Sequence, residues 1–274
     1  MEFFFGVILP YIAFSVFLTG TILRVIGWLR TPVPFQLTLF PVPQNTAGRI
    51  RSVATEFFFC RSLHREDKFL WLSVWLIHLS LLLVLAGHVL GIYFMRSQFT
   101  LIGLRPHSSV QMSLILGGIT GVVMTFSVGA LIYRRLVNAA VKRLSAPSNY
   151  FELLLLFALA LSGISMYMPG LGVDLQAVRG YMGGLFGMHP VLLPRNATFF
   201  IHFLLVNILM IYFPFSSFMH SAGFFAIRSM LLEAPPAYPT PSGTVERSVF
   251  ATRKLYPDIP VPRQTSTAGE GDRR

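Results

Sequence analysis

Four histidines stand in two apolar stretches of this 274-residue chain: His78 and His88 in one, His202 and His220 in the other. An ionisable side chain inside hydrocarbon is costly and marks a functional site by default. A neutral imidazole is also among the commonest metal ligands. Two apolar stretches with two histidines each suit a pair of b haems stacked across a bilayer, each iron held by one histidine from each stretch. Two imidazoles on one iron leave no open coordination position, which favours electron transfer over oxygen chemistry. The plainer reading is that each histidine hydrogen-bonds a neighbouring helix or ends in the membrane interface. It suits one isolated histidine better than four in depth-matched pairs.

The elements that carry these residues must be helices. Ten residues from His78 to His88 rise about 15 Å, and eighteen from His202 to His220 rise about 27 Å, which is five whole turns. The two stretches run in opposite directions through the membrane, so depth pairs His78 with His220 and His88 with His202. The unequal rises do not fit two straight parallel helices, and a kink near Pro214 is expected to absorb part of the difference. A single metal cage is disfavoured because the two pairs lie too far apart along the helices to converge.

Composition agrees with a membrane protein. Hydrophobic residues make up 54% of the chain and charged residues 12%, with mean hydropathy +0.63, where a soluble domain is about a quarter charged. Five segments reach the length of about 20 apolar residues needed to cross a bilayer: residues 3–23, 69–95, 110–133, 150–168 and 197–219. An all-α bundle of five transmembrane helices is therefore expected, with no soluble domain between them.

The net charge of +11 is distributed by side. Seven Lys or Arg fall between Arg24 and Lys68, four between Arg134 and Arg143, and seven from Arg228 onward. The opposite loops hold only Arg96, Arg105, Arg179 and Arg195. This positive-inside bias puts the N-terminus outside and the C-terminus in the cytoplasm of a bacterial or archaeal inner membrane, and makes nucleic-acid binding unnecessary. Glu2 and the lack of a basic n-region argue for a retained first helix rather than a removable signal peptide. Cys60 is the one cysteine, so c-type haem attachment through Cys-x-x-Cys-His is excluded.

Residues 1–230 are read as the membrane domain and 231–274 as a proline-rich basic cytoplasmic tail. The prolines of 31–45 (Pro32, Pro34, Pro41, Pro43) suggest an extended strap. Residues 47–68, with Phe57-Phe58-Phe59 beside Arg51, Arg61 and Arg65, suit one amphipathic helix on the membrane surface or against a partner. Gly117, Gly118 and Gly121 form a small-residue surface for close helix packing, with a groove for a porphyrin edge as the second reading. No internal repeat supports an inverted-repeat transporter. His64 and His189 read as loop residues.

With these motifs in view, the chain resembles the gamma-subunit family of membrane-bound respiratory nitrate reductase, a five-helix dihaem cytochrome b. The resemblance lies in residues 9–24 (LPYIAFSVFLTGTILR), 78–91 (HLSLLLVLAGHVLG), 116–122 (LGGITGV) and 202–220 (HFLLVNILMIYFPFSSFMH), and spans about residues 1–230. It implies that His78 and His220 ligate the inner haem iron and His88 and His202 the outer. The family's quinol-binding lysine before the third helix is missing, and Ser109 and Gln111 stand nearby. The longer strap and tail make the chain more similar to the cytochrome b subunit of the sulfite-reduction-associated membrane complex, whose partner resembles the iron–sulfur subunit of heterodisulfide reductase.

The chain would move electrons between a quinone, taken as menaquinone, and a cytoplasmic iron–sulfur subunit that is heterodisulfide-reductase-like or nitrate-reductase-beta-like, within a larger complex that has room for other membrane or periplasmic subunits. Candidate quinone contacts are His107, Gln111, Ser109 and Arg105 at the outer mouth of the third helix, with Gly87 leaving room beside His88. The rival reading is a haem-free membrane anchor or transporter subunit.

Overall fold

The computed structural model describes residues 2–30, 46–94 and 97–224. The 31–45 strap, Arg96 and the 231–274 tail expected above lie outside them. Among the described residues the regular structure is all helical, with no strand. The chain divides into two compact units, residues 1–29 with 54–223 and residues 30–53 with 224–274. The bundle is the first of these.

Five helices are long and apolar enough to cross a membrane: Phe4–Arg30, Lys68–Ile92, Pro106–Val137, Pro147–Ser165 and Ala197–Phe215. Only a minority of the residues in the most apolar stretch of each is buried within the protein, so large apolar side chains such as Phe14, Leu82, Phe126, Leu154 and Ile201 face outward. An apolar surface on every span needs hydrocarbon around it, and helices meet that demand because their main-chain polar groups are paired internally. The chain is a multi-pass membrane protein.

The elements in order are α1 (Leu9–Arg30, after a π-helical turn at Phe4–Ile8), α2 (Thr46–Phe59), α3 (Arg61–Glu66), α4 (Lys68–His88, continued as a π-helical stretch Val89–Phe94), α5 (Pro106–Val137), α6 (Ala139–Leu144), α7 (Pro147–Ser165), α8 (Leu175–Phe186) and α9 (Ala197–Tyr212). Packing runs from α4 to α5, from α5 to α7 and from α7 to α9. Local chemistry sets the starts. Pro106 and Pro147 occupy first-turn positions, where the missing N–H is no loss, and the Asn196 side chain accepts the Phe199 N–H at 2.8 Å to open α9. Asp67 opens α4 by accepting the Leu70 N–H at 2.9 Å, and it pairs with Arg134 at 2.7 Å. The Leu70 N–H first, then Arg134, holds its carboxyl below the usual carboxylate range.

The single amphipathic helix expected over 47–68 is instead two. Cys60 adopts a left-handed conformation (φ 44°) between α2 and α3. The carbonyls freed at the end of α2 are taken by indoles of α4, with Trp71 Nε1 donating to Phe59 O at 2.7 Å and Trp75 Nε1 to Phe58 O at 2.8 Å. His64, expected as a plain loop residue, stands edge-on to Trp71 at 4.6 Å between ring centres.

Two apolar clusters hold the bundle. Ile77 of α4, Met124 and Val128 of α5 and Ala160 of α7 form one. Val178, Tyr181 and Leu185 of α8 with Phe199 and Phe203 of α9 form the other. The glycine surface of α5 packs closely: Ile164 Cγ1 stands 2.9 Å from where a Cβ on Gly121 would lie, and the Tyr167 ring covers Gly117 and Gly118. Helix α8 was not foreseen. It docks on the first span by two long-range bonds, Tyr181 OH to Gly6 O and Tyr11 OH to Leu185 O, the latter 2.8 Å.

The fifth span is broken where the kink was expected. α9 ends at Tyr212, a 3-10 turn covers Phe213–Phe215, Ser216 is extended (φ −102°, ψ 173°), and a second turn covers Ser217–Met219. Pro214 is the cause, because it has no N–H to give the helical ladder and its ring crowds the preceding turn.

Candidate haem-binding site

The structure brings the four histidines together in two pairs. The rings of His78 and His220 have centres 5.9 Å apart with planes at 73°, and those of His88 and His202 are 6.3 Å apart with planes at 24°. Two imidazoles bound to opposite faces of one metal, each at the usual metal–nitrogen distance of about 2.0–2.1 Å, have ring centres about 6 Å apart. Both pairs match that spacing. The break at Pro214 lets His220 reach the depth of His78 although the straight-helix rises differ.

The hydrogen bonds select the tautomer. A backbone carbonyl only accepts, so Nδ1 carries the proton wherever it meets one. His78 Nδ1 donates to Val74 O, His88 Nδ1 to Val84 O and His220 Nδ1 to Ser217 O, each at 2.7 Å. His202 Nδ1 meets Ser162 Oγ at 3.0 Å, and that hydroxyl gives its own proton to Leu159 O at 3.0 Å, so it accepts from the ring. All four rings thus keep Nε2 as a bare lone-pair donor, the arrangement in which an outer hydrogen bond orients a metal-binding imidazole. Among the described residues no three His, Cys, Asp or Glu side chains converge. Each pair therefore offers two ligands, the number an iron needs when a porphyrin supplies the other four.

Small residues make space beside the rings. Gly163 of α7 lies against His202, with Cε1 3.5 Å from where a Cβ would stand, and a Cβ on Gly87 would meet nothing within 4 Å. The paired rings at ligating spacing and the open space beside Gly87 suit the haems that the sequence implies.

The expected quinone contacts separate into two kinds. His107 and Gln111 are exposed and one turn apart on α5, hence on one face, and Arg105 is exposed just before it. Ser109 is fully buried, and its hydroxyl accepts the Phe99 N–H at 3.0 Å, tying the 97–104 turn to α5.

Other polar groups near the histidines were not singled out in the sequence. One turn past His88, Arg179 Nε donates to Gly91 O at 3.0 Å, and Gln98 Oε1 stands 2.9 Å from where a Gly91 Cβ would be. At the His220 end, Glu152 is buried at 7% exposure and Arg24 bonds the Pro214 carbonyl. Glu152 is the one carboxylate in the five spans, a signal legible from the sequence by the same rule that picked out the histidines.

The chain is similar to several known proteins. Residues 54–235 match the nitrate reductase gamma subunit family. The chain is similar to the Hdr-like menaquinol oxidoreductase cytochrome b-like subunit of Archaeoglobus fulgidus, 32% identical over 263 residues that cover 81% of this chain and 77% of the relative. The protein of the same name in Archaeoglobus profundus is 28% identical over 255 residues, covering 78% and 74%. The nitrate reductase gamma chain of Bacillus subtilis is 33% identical over 100 residues, covering 36% and 45%.

Proposed function

Because the chain belongs to the nitrate reductase gamma subunit family, and is thereby a membrane electron-transfer subunit of a larger oxidoreductase complex, we propose that it binds two b haems and links the quinone pool to a cytoplasmic iron–sulfur partner. The observation that carries this reading is the meeting of the histidine rings in two pairs near 6 Å, every Nδ1 already bonded and every Nε2 left as a ligand. His78 and His220 would hold the inner haem, and His88 and His202 the outer. When bound, the haems supply one-electron transfer. The four histidines would hold and orient them.

Menaquinol is the substrate favoured by the relatives' names. Its head group would sit at the His107 and Gln111 face, where a side-chain N–H can donate to a carbonyl oxygen. Residues 1–230 would form the haem domain and 231–274 a tail for the partner, an iron–sulfur subunit of the heterodisulfide reductase kind. Of the basic 134–143 segment, Arg134 and Arg135 bond Asp67 and Ser145 within the fold, while Lys142 and Arg143 are exposed for docking.

Two measurements test this. A pyridine haemochrome assay on the purified chain should return two haems per polypeptide, and complete protein without a Soret band would return it to the class of haem-free anchors. Orientation follows from the basic residues on one side. A periplasmic reporter at the N-terminus and a cytoplasmic reporter after Arg274 should both be active, and the opposite pattern would move quinone chemistry to the other face of the membrane.

A further inference from the structure

The break before His220 leaves main-chain groups of buried Pro214 and exposed Ser217 without helical partners at the end of the fifth span, and an unpaired group in apolar surroundings is costly. Two charged residues from other helices meet them. Arg24 of α1 donates from Nη1 to Pro214 O at 2.7 Å. Glu152, in the second turn of α7, accepts the Ser217 N–H at 2.9 Å through Oε1, the Ser217 hydroxyl through Oε2, and the Tyr212 hydroxyl at 3.4 Å. The cation thus takes a freed acceptor before the break and the anion takes freed donors after it.

Ser217 is the pivot. Its N–H and hydroxyl are bound to Glu152, and its carbonyl accepts the Nδ1–H of His220 at 2.7 Å. One residue therefore joins a buried carboxylate to the ring of a candidate ligand. The other three histidines have no such link, since their Nδ1 groups end on Val74, Val84 and Ser162. Close approach of α1 keeps the arrangement compact, with Pro214 Cβ 2.7 Å from where a Cβ on Gly20 would stand.

We infer that Glu152 is a positioning residue for His220, fixing its ring through Ser217 and setting the reduction potential at the His78–His220 site but not at the His88–His202 site. The inference rests on the two-haem reading above. A fixed negative charge near an iron stabilises the ferric form, which carries one more positive charge than the ferrous form. Removing that charge in a low-dielectric bundle makes the iron easier to reduce.

The test is a potentiometric titration of the full complex in membranes, reading the α-bands and the low-spin electron paramagnetic resonance signals of both haems. His220→Ala identifies the inner signal. Glu152→Gln should keep both haems and shift the reduction equilibrium of the inner one by about tenfold toward the reduced form, which is about 59 mV for a one-electron couple, leaving the outer one unchanged. Ser217→Ala, which cuts the hydroxyl link and leaves the carboxylate, should shift the same haem by less. Glu152→Ala should also change the inner signal's principal g-value by freeing the His220 ring, and Glu152→Asp should restore the potential in part. Wild-type potential and g-value at the inner haem in both Glu152→Gln and Ser217→Ala, or equal shifts at both haems, would overturn the inference. A wild-type protein without two haems would instead overturn the reading beneath it.

Discussion

His78→Ala and His220→Ala should each remove one haem, and the same one, while His88→Ala and His202→Ala should each remove the other. The haemochrome value falls from two per chain to one in every case. The effect should be close to complete because each pair offers two side chains as ligands and no third His, Cys, Asp or Glu stands by to replace one among the described residues. The surviving species should differ in a way that the ring geometry dictates. Planes at 24° raise one iron d orbital of π symmetry above its partner, whereas planes at 73° leave the two nearly degenerate. The haem left in His78→Ala should therefore give an ordinary rhombic low-spin signal, and the haem left in His88→Ala a strongly anisotropic one. Loss of the same spectral species in His78→Ala and His202→Ala would show that the pairs are joined differently.

Quinol-driven haem reduction should slow by roughly one to two orders of magnitude in the His107→Ala/Gln111→Ala double variant, with both haems retained. A quinol oxygen gains negative charge as its proton leaves on the way to oxidation. Losing a hydrogen bond to that developing charge removes a few kcal/mol at most, which sets the size of the effect. The two side chains share an exposed face of α5, and neither is engaged as Ser109 is. Ser109→Ala serves as the contrast. It should loosen the 97–104 turn through the lost Phe99 contact, and its effect should follow stability rather than quinol concentration. A double variant reduced by a menaquinol analogue at the wild-type rate would place the quinone elsewhere, with the surface around His64 next to be probed.

What the sequence determined by itself was whatever depends on spacing along a single helix. Runs of about 20 apolar residues specify spans because hydrocarbon admits no unpaired backbone, so five helices were legible without any tertiary information. The order of the histidines along each span follows from a fixed rise per residue, and Pro214 marked the break because proline has no N–H wherever it stands. The strap and tail, outside the described residues, stay as the sequence left them.

Tertiary structure decided what depends on groups far apart in the chain. Helix α8 went unseen because it is short, and Val178, Tyr181 and Leu185 acquire a partner only when Phe199, Phe203 and Tyr11 fold against them. The 47–68 helix divides at Cys60 because Trp71 and Trp75 capture its last carbonyls, which no local pattern specifies. Ser109 looked available for a ligand until Phe99 was brought to it. Glu152 could have been noticed as a lone carboxylate in a span. Its connection to His220 runs through Ser217, 65 residues further along the chain, and only the packing of α7 against the end of α9 brings them together.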